Sequence, residues 1–162
     1  MKRALPILLL LLIPICLSSC TSVPTPSVTT AEFPFEIVYE TGGEIITVSD
    51  AYVCEFEGIE WNENVGKHRQ WKGYVKSTGE ATLVLLTEGA IKVTCSLGSP
   101  AYYMSDPLAP AVEEITPTVQ RVQTFESGGV SAMTLTAEQL SEQYDIRLIS
   151  WAFSAPIENT YE

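Results

Sequence analysis

Ile91-Lys92-Val93-Thr94-Cys95-Ser96-Leu97 alternates apolar and polar residues without a break. A period of two is the signature of a strand with one face in a core, here Ile91, Val93, Cys95 and Leu97, and the other toward water, Lys92, Thr94 and Ser96. Just upstream, residues 81–86 are apolar but for Thr82, which predicts a central strand buried on both faces. Further back, Phe35, Ile37 and Tyr39 alternate with Glu36, Val38 and Glu40, and Thr41-Gly42-Gly43 supplies a turn, since glycine tolerates positive φ. Residues 45–48 and 52–57 read as extended, with Tyr52, Cys54 and Phe56 on one face. Residues 70–77 place Trp71 and Val75 inward and Lys72, Tyr74 and Lys76 outward. Strands at this spacing predict a mainly β fold, an antiparallel β-sandwich or a barrel-like meander.

The second half is mixed. The tract 105–117, with Asp106, Pro107, Pro110 and Pro117, is the best candidate for an internal break. Residues 119–125 and 130–135 read as strands around Ser127-Gly128-Gly129. Thr136-Ala137-Glu138-Gln139 is a capping box, and it opens one short C-terminal helix to about Tyr144, with Ala137, Leu140 and Tyr144 on one face. Residues 146–153 form a last strand, ended by Pro156.

The N-terminus has another character. Met1-Lys2-Arg3 is a positive start, residues 4–15 are apolar apart from Pro6 and Pro14, and the small residues Ser18 and Ser19 follow. This order suits a cleaved export signal. The apolar run is shorter than the roughly 20 residues a membrane span needs. Leu17-Ser18-Ser19-Cys20 resembles the lipobox of bacterial lipoproteins: an aliphatic residue, two small ones, then cysteine. The resemblance implies that the Cys20 sulfur receives a diacylglyceryl group and that residues 1–19 are removed as signal peptide, Cys16 with them. The mature protein would then be held at the cell membrane, on its extracytoplasmic face, by acyl chains that need no help from the protein surface.

Residues 20–32 read as the lipidated cysteine and a Ser/Thr/Pro-rich tether, too polar to order itself. Pro24 and Pro26 bias it toward polyproline II, enough to hold a domain about 30 Å from the bilayer at full stretch. Residues 33–162 form a single, mostly β globular domain, long enough for a real core.

The chain has 9 Lys+Arg and 20 Asp+Glu. Loss of Lys2 and Arg3 with the signal leaves 7 basic residues against 20 acidic, a net charge of −13. Such a balance argues against nucleic acid and against anionic lipid surfaces as partners, since both require clustered positive charge.

Several groups of residues are candidates for function. Cys54 and Cys95 both sit on apolar strand faces. An exported protein allows a disulfide between them, worth roughly 3–4 kcal/mol in the chain-entropy model, and two buried free thiols are an equal alternative. The order Cys54, Trp71, Cys95 invites an immunoglobulin reading, but the cysteines are close in sequence and Val93 stands where that family has tyrosine. His68 lies among Lys67, Arg69, Lys72 and Lys76, a small cationic patch suited to an anionic ligand and equally to a solvated strand. Glu55, Glu57, Glu60 and Glu63 match no calcium-loop spacing. Trp61, Trp71, Tyr74, Tyr102, Tyr103 and Trp151 could line a groove, Trp61 and the Tyr102-Tyr103 pair foremost. The ligand-binding candidates are therefore Trp61, Lys67, His68, Arg69, Trp71, Lys72, Tyr102 and Tyr103. No catalytic residue, metal or cofactor is assigned: there is no Gly-x-Ser-x-Gly elbow and no Cys-x-x-Cys.

The pieces at 33–40 (Phe33 to Tyr39, ending at Glu40), 71–74 (Trp71-Lys72-Gly73-Tyr74) and 98–104 (Gly98 to Met104) resemble small uncharacterised lipoproteins of Gram-positive Firmicutes. That resemblance implies a cellular setting and no activity. The expectation is a non-enzymatic binding or accessory module of the envelope, with an envelope protein or glycan as partner. An envelope hydrolase or transferase using paired acids, or a purely structural lipoprotein, are the alternatives.

Overall fold

A computed structural model describes residues 22–109 and 115–162. Cys20, the apolar run before it and Pro110 lie outside the described residues. The chain lays down a meander of β1 (Thr30–Thr41), β2 (Glu44–Asn62) and β3 (Gly66–Val75), then crosses to a second sheet with β4 (Leu83–Glu88) and β5 (Ile91–Ser96). One helical turn, α1 (Pro100–Tyr103), precedes β6 (Thr118–Thr124) and β7 (Val130–Thr134). Helix α2 (Ala137–Tyr144) leads back to β8 (Ile146–Phe153), which pairs with the free edge of β1. The sheets run β3-β2-β1-β8 and β4-β5-β6-β7, antiparallel at every pairing. The fold is a mainly β, sandwich-like arrangement of two antiparallel sheets.

Alternation builds the core. Phe33, Phe35, Ile37 and Tyr39 of β1 point inward, as do Tyr52 and Cys54 of β2 and Val75 of β3, and they meet Leu83, Leu85, Val93, Cys95 and Val119 of the opposite sheet. Leu140 of α2 and Ile146 close one side. The capping box at Thr136 is complete, with Gln139 N–H donating to the Thr136 side chain and the Gln139 side chain accepting from the Thr136 N–H. At the β1–β2 turn Gly42 and Gly43 have φ of 58° and 77°, the left-handed pair that a tight hairpin needs. The Gly42 N–H donates to Asp145, the left-handed residue that ends α2.

The structure differs from the sequence reading in four places. Residues 81–86 do not make a central strand: β4 lies at the edge of its sheet, and only Leu83 and Leu85 are buried. An apolar run reports burial, not position among neighbours. Residues 45–48 and 52–57 belong to one strand, β2, because twelve unbroken register pairs with β1 carry it through Asp50. The tract 98–104 holds the turn α1, entered through Pro100. The boundary at 32 also moves. Thr30–Glu32 open β1, Thr25 exchanges backbone hydrogen bonds with Glu162, and the Ser27 N–H donates to the Thr160 carbonyl. The tail 157–162 supplies the partner that a Ser/Thr/Pro segment lacks alone. Of the two alternatives for Cys54 and Cys95, the structure has the free thiols, both fully buried.

Burial pushes both thiols up, each to about 12. In the folded protein Cys54 and Cys95 should therefore resist iodoacetamide at pH 8, reacting only after denaturation. Peptide mass spectrometry of protein labelled with and without urea checks this; labelling without urea would mean the core opens locally.

Candidate functional site

The β2–β3 hairpin gathers most of the residues expected to bind a ligand, but alternation divides them between two faces. Lys67, Arg69, Trp71 and Val75 share the inner face, while His68, Lys72 and Tyr74 share the outer one. His68, Arg69, Lys72 and Lys76 then each find a partner of their own, and Lys67 stays exposed near the tip. Lys76 pairs with Glu32 at 2.7 Å. Lys72 stands 5.6 Å over the Tyr74 ring, whose hydroxyl donates to Glu55. His68 Nδ1 donates to the Gly66 carbonyl at 3.2 Å. Lys67, His68 and Arg69 still border one recess, but Lys72 and Lys76 do not line it, so the five do not form one cationic patch.

Arg69 is the clearest departure. Its guanidinium turns inward and grips Asp106 through both carboxylate oxygens, at 2.8 and 2.6 Å, with side-chain exposures of 2% and 4%. The Trp71 indole N–H and the Leu108 backbone N–H donate to the same carboxylate, each at 2.8 Å. The third guanidinium nitrogen donates to the Pro24 carbonyl at 3.0 Å, and the Tyr161 ring lies 4.6 Å from the guanidinium carbon. Burial alone would raise the Asp106 pKa, but these donors and the Arg69 charge outweigh it and hold the carboxyl below the ordinary aspartate value. The donors that hold it also occupy its lone pairs, so the group is unfit for proton transfer. The arrangement is a clamp that joins β3, the segment after α1 and both ends of the described chain. The sequence reading did not pair Arg69 with Asp106; they lie 37 residues apart.

Tyr103 is also withdrawn from the ligand-binding set. It is 1% exposed, packs 4.7 Å from the Phe33 ring, and donates its hydroxyl to the Leu97 carbonyl. Tyr102, its neighbour on the turn of α1, stays at the surface side. Trp71 is half-buried against Phe56. Trp61 remains exposed at the hairpin tip. Among the described residues no group of three or more His, Cys, Asp or Glu is placed to hold a metal ion.

The residue that gains prominence is Trp151. Between Val38 and Tyr39 the β1–β8 pairing shifts register, leaving Ile149 as the extra residue. The shift places Trp151 opposite Ile37 and Phe153 opposite Phe35, both on the core side of β8. At this edge the second sheet does not close over them, so Trp151 is 40% exposed. Two recesses meet at its ring. One, about 370 Å³, is lined by Tyr102, Ile115 and the strand end Ala152–Pro156; the other, about 300 Å³, by Val119, Leu135, Leu140, Leu148 and Arg147. Together they make a seam between the sheets, mainly apolar on the side of Val119, Leu135 and Leu148, with one guanidinium at its rim. The Arg147 side chain itself pairs with Glu40.

Comparison of the chain with protein-family models, curated proteins and solved structures finds no match.

Proposed function

We propose that the protein is a lipoprotein anchored through Cys20 on the extracytoplasmic face of the cell membrane, where it serves as a non-enzymatic binding module for an envelope protein or glycan. The lipobox residues Leu17 to Cys20 support the anchor. The observation that carries the binding role is the seam at Trp151: a sheet edge offers a half-open aromatic ring between two recesses, one mixed and one mainly apolar, a form small ligand sites commonly take. A sugar ring or an apolar side chain would stack on that indole, and Arg147 would order its polar edge. The commitment of Asp106 to four donors favours binding over acid–base chemistry.

Cell fractionation and mass spectrometry test the anchor. The wild-type chain should sediment with membranes and carry a diacylglyceryl group at Cys20, and Cys20→Ala should lose both. An unmodified cysteine or a retained leader removes the anchor. Hydrogen exchange in the presence of solubilised envelope tests the module: protection is expected along residues 115–119 and 151–156, and Trp151→Ala should abolish it. Absence of protection anywhere on the domain removes the binding role.

A further inference from the structure

The tip of the β2–β3 hairpin is the most apolar exposed surface near the start of the described chain. Trp61 and Val65 on the tip are 66% and 68% exposed, and Leu108 nearby is 64% exposed. Val65 and Leu108 line one recess with Lys67, and Trp61 lines a second, also with Lys67, so a single lysine joins them into one surface. Large side chains gathered in this way mark an interaction face.

The chain itself says what lies against that face. Ser22 and Val23 line the same recess as Trp61. Pro24 is fixed to the clamp through its carbonyl, and Thr25 and Ser27 are bonded to the tail. An extended chain advances at most about 3.6 Å per residue, so Cys20 lies within about 14 Å of Pro24 and about 7 Å of Ser22. Acyl chains on Cys20 therefore reach the bilayer beside Trp61, with no 30 Å spacer between domain and membrane. We infer that Trp61, Val65 and Leu108 sit in the interfacial layer of the bilayer that holds Cys20, so that the domain lies on the membrane instead of standing off it. The inference rests on the proposed lipidation of Cys20.

The chemistry of the tip fits that layer. An indole places an apolar body and one N–H where hydrocarbon meets headgroups. The Lys67 stem can run along apolar surface while its ammonium stays in water. Asn62, Glu63 and Asn64 at the turn remain polar, at headgroup level. The attraction is apolar rather than electrostatic, since the mature chain carries a net charge of −13. It can also be weak, because an attached anchor presents the tip to the bilayer at an effective concentration on the order of millimolar.

Depth-dependent fluorescence quenching tests the inference. The full lipidated protein is reconstituted in phosphatidylcholine vesicles whose acyl chains are brominated near the headgroup, because an interfacial side chain reaches about 5–10 Å into the headgroup/acyl boundary. The chain has three tryptophans, Trp61, Trp71 and Trp151. Quenching is expected in the wild type. It should vanish in Trp61→Phe and fall in Val65→Ser/Leu108→Ser, which keeps all three fluorophores and alters only exposed side chains. Quenching that survives Trp61→Phe overturns the inference by placing another face on the membrane. Absence of quenching in a lipidated sample also overturns it, and so does a Trp61 signal that follows protein density and not bromination, which assigns the tip to a second copy of the chain. Mass measurement of Cys20 on the same sample separates the two levels. If the cysteine is unmodified, the anchor itself fails and the docking with it; if it is lipidated and Trp61 stays bright, only the docking fails.

Discussion

Asp106→Ala is expected to be the most damaging single substitution in the domain, costing about 3–5 kcal/mol, because it leaves a buried charge without its partner. The Arg69 side chain is 2% exposed and cannot swing into water without dismantling the packing around it. The Trp71 indole and the Leu108 N–H would lose their acceptor at the same time. Arg69→Met/Asp106→Leu should recover much of the loss, since removing both charges also removes the cost of desolvating them. Urea denaturation of the three proteins checks the order: wild type most stable or level with the double variant, Asp106→Ala well below both. Equal stability of wild type and Asp106→Ala would mean that the clamp does not form.

The same group gives a pH dependence. The folded-state pKa of Asp106 is lowered, so the unfolded chain binds the extra proton first as pH falls. The stability it contributes is fully present above the ordinary aspartate value, near 4, and is lost as pH falls through that value toward the lower folded one. Asp106→Asn, which cannot titrate, should show a shallower loss of melting temperature between pH 5 and 2.

The second large effect is expected at Gly73→Ala. Gly73 lies on the inner face of β3, opposite Cys54, and the Tyr52 ring occupies the space where a side chain would go. An added Cβ would lie 2.0 Å from the Tyr52 hydroxyl oxygen, 2.4 Å from the ring carbon that bears it, and 2.9 Å from Pro100. Relief requires Tyr52 to leave its place against Tyr103 and give up its hydrogen bond to the Gly98 carbonyl. Overpacking of this kind costs typically 1–3 kcal/mol, and here the cost should fall at or above the upper end. The discriminating measurement is a double-mutant cycle with Tyr52→Ala. Tyr52→Ala destabilises by itself, but on that background Gly73→Ala should cost far less; strict additivity would show that the ring does not cover Gly73.

Local pattern made much of this fold legible. The alternation at Ile91–Leu97 and Phe35–Tyr39, the Gly42-Gly43 turn and the Thr136 capping box each report on neighbours within a few residues, and each stands where its pattern places it except at Thr94, expected toward water but buried in the middle of β5. What could not be read depends on distant partners. Arg69 looks like one of a run of surface cations until Asp106 arrives 37 residues later. Tyr103 and Tyr102 are indistinguishable until the turn of α1 aims one at Phe33. Trp151 is the subtlest case, since strict alternation from Ile146 would turn it outward. One unpaired residue, Ile149, reverses the face, and that bulge is defined only by the pairing with β1.

The buckle at the chain ends sets a path for mechanical load. A pull on Ser22 is not passed straight to the strands. It arrives first at the Pro24 carbonyl held by Arg69, then at the paired rungs joining Thr25 and Ser27 to Glu162 and Thr160. These few bonds should therefore yield under load before β1 bears tension, leaving the sandwich intact.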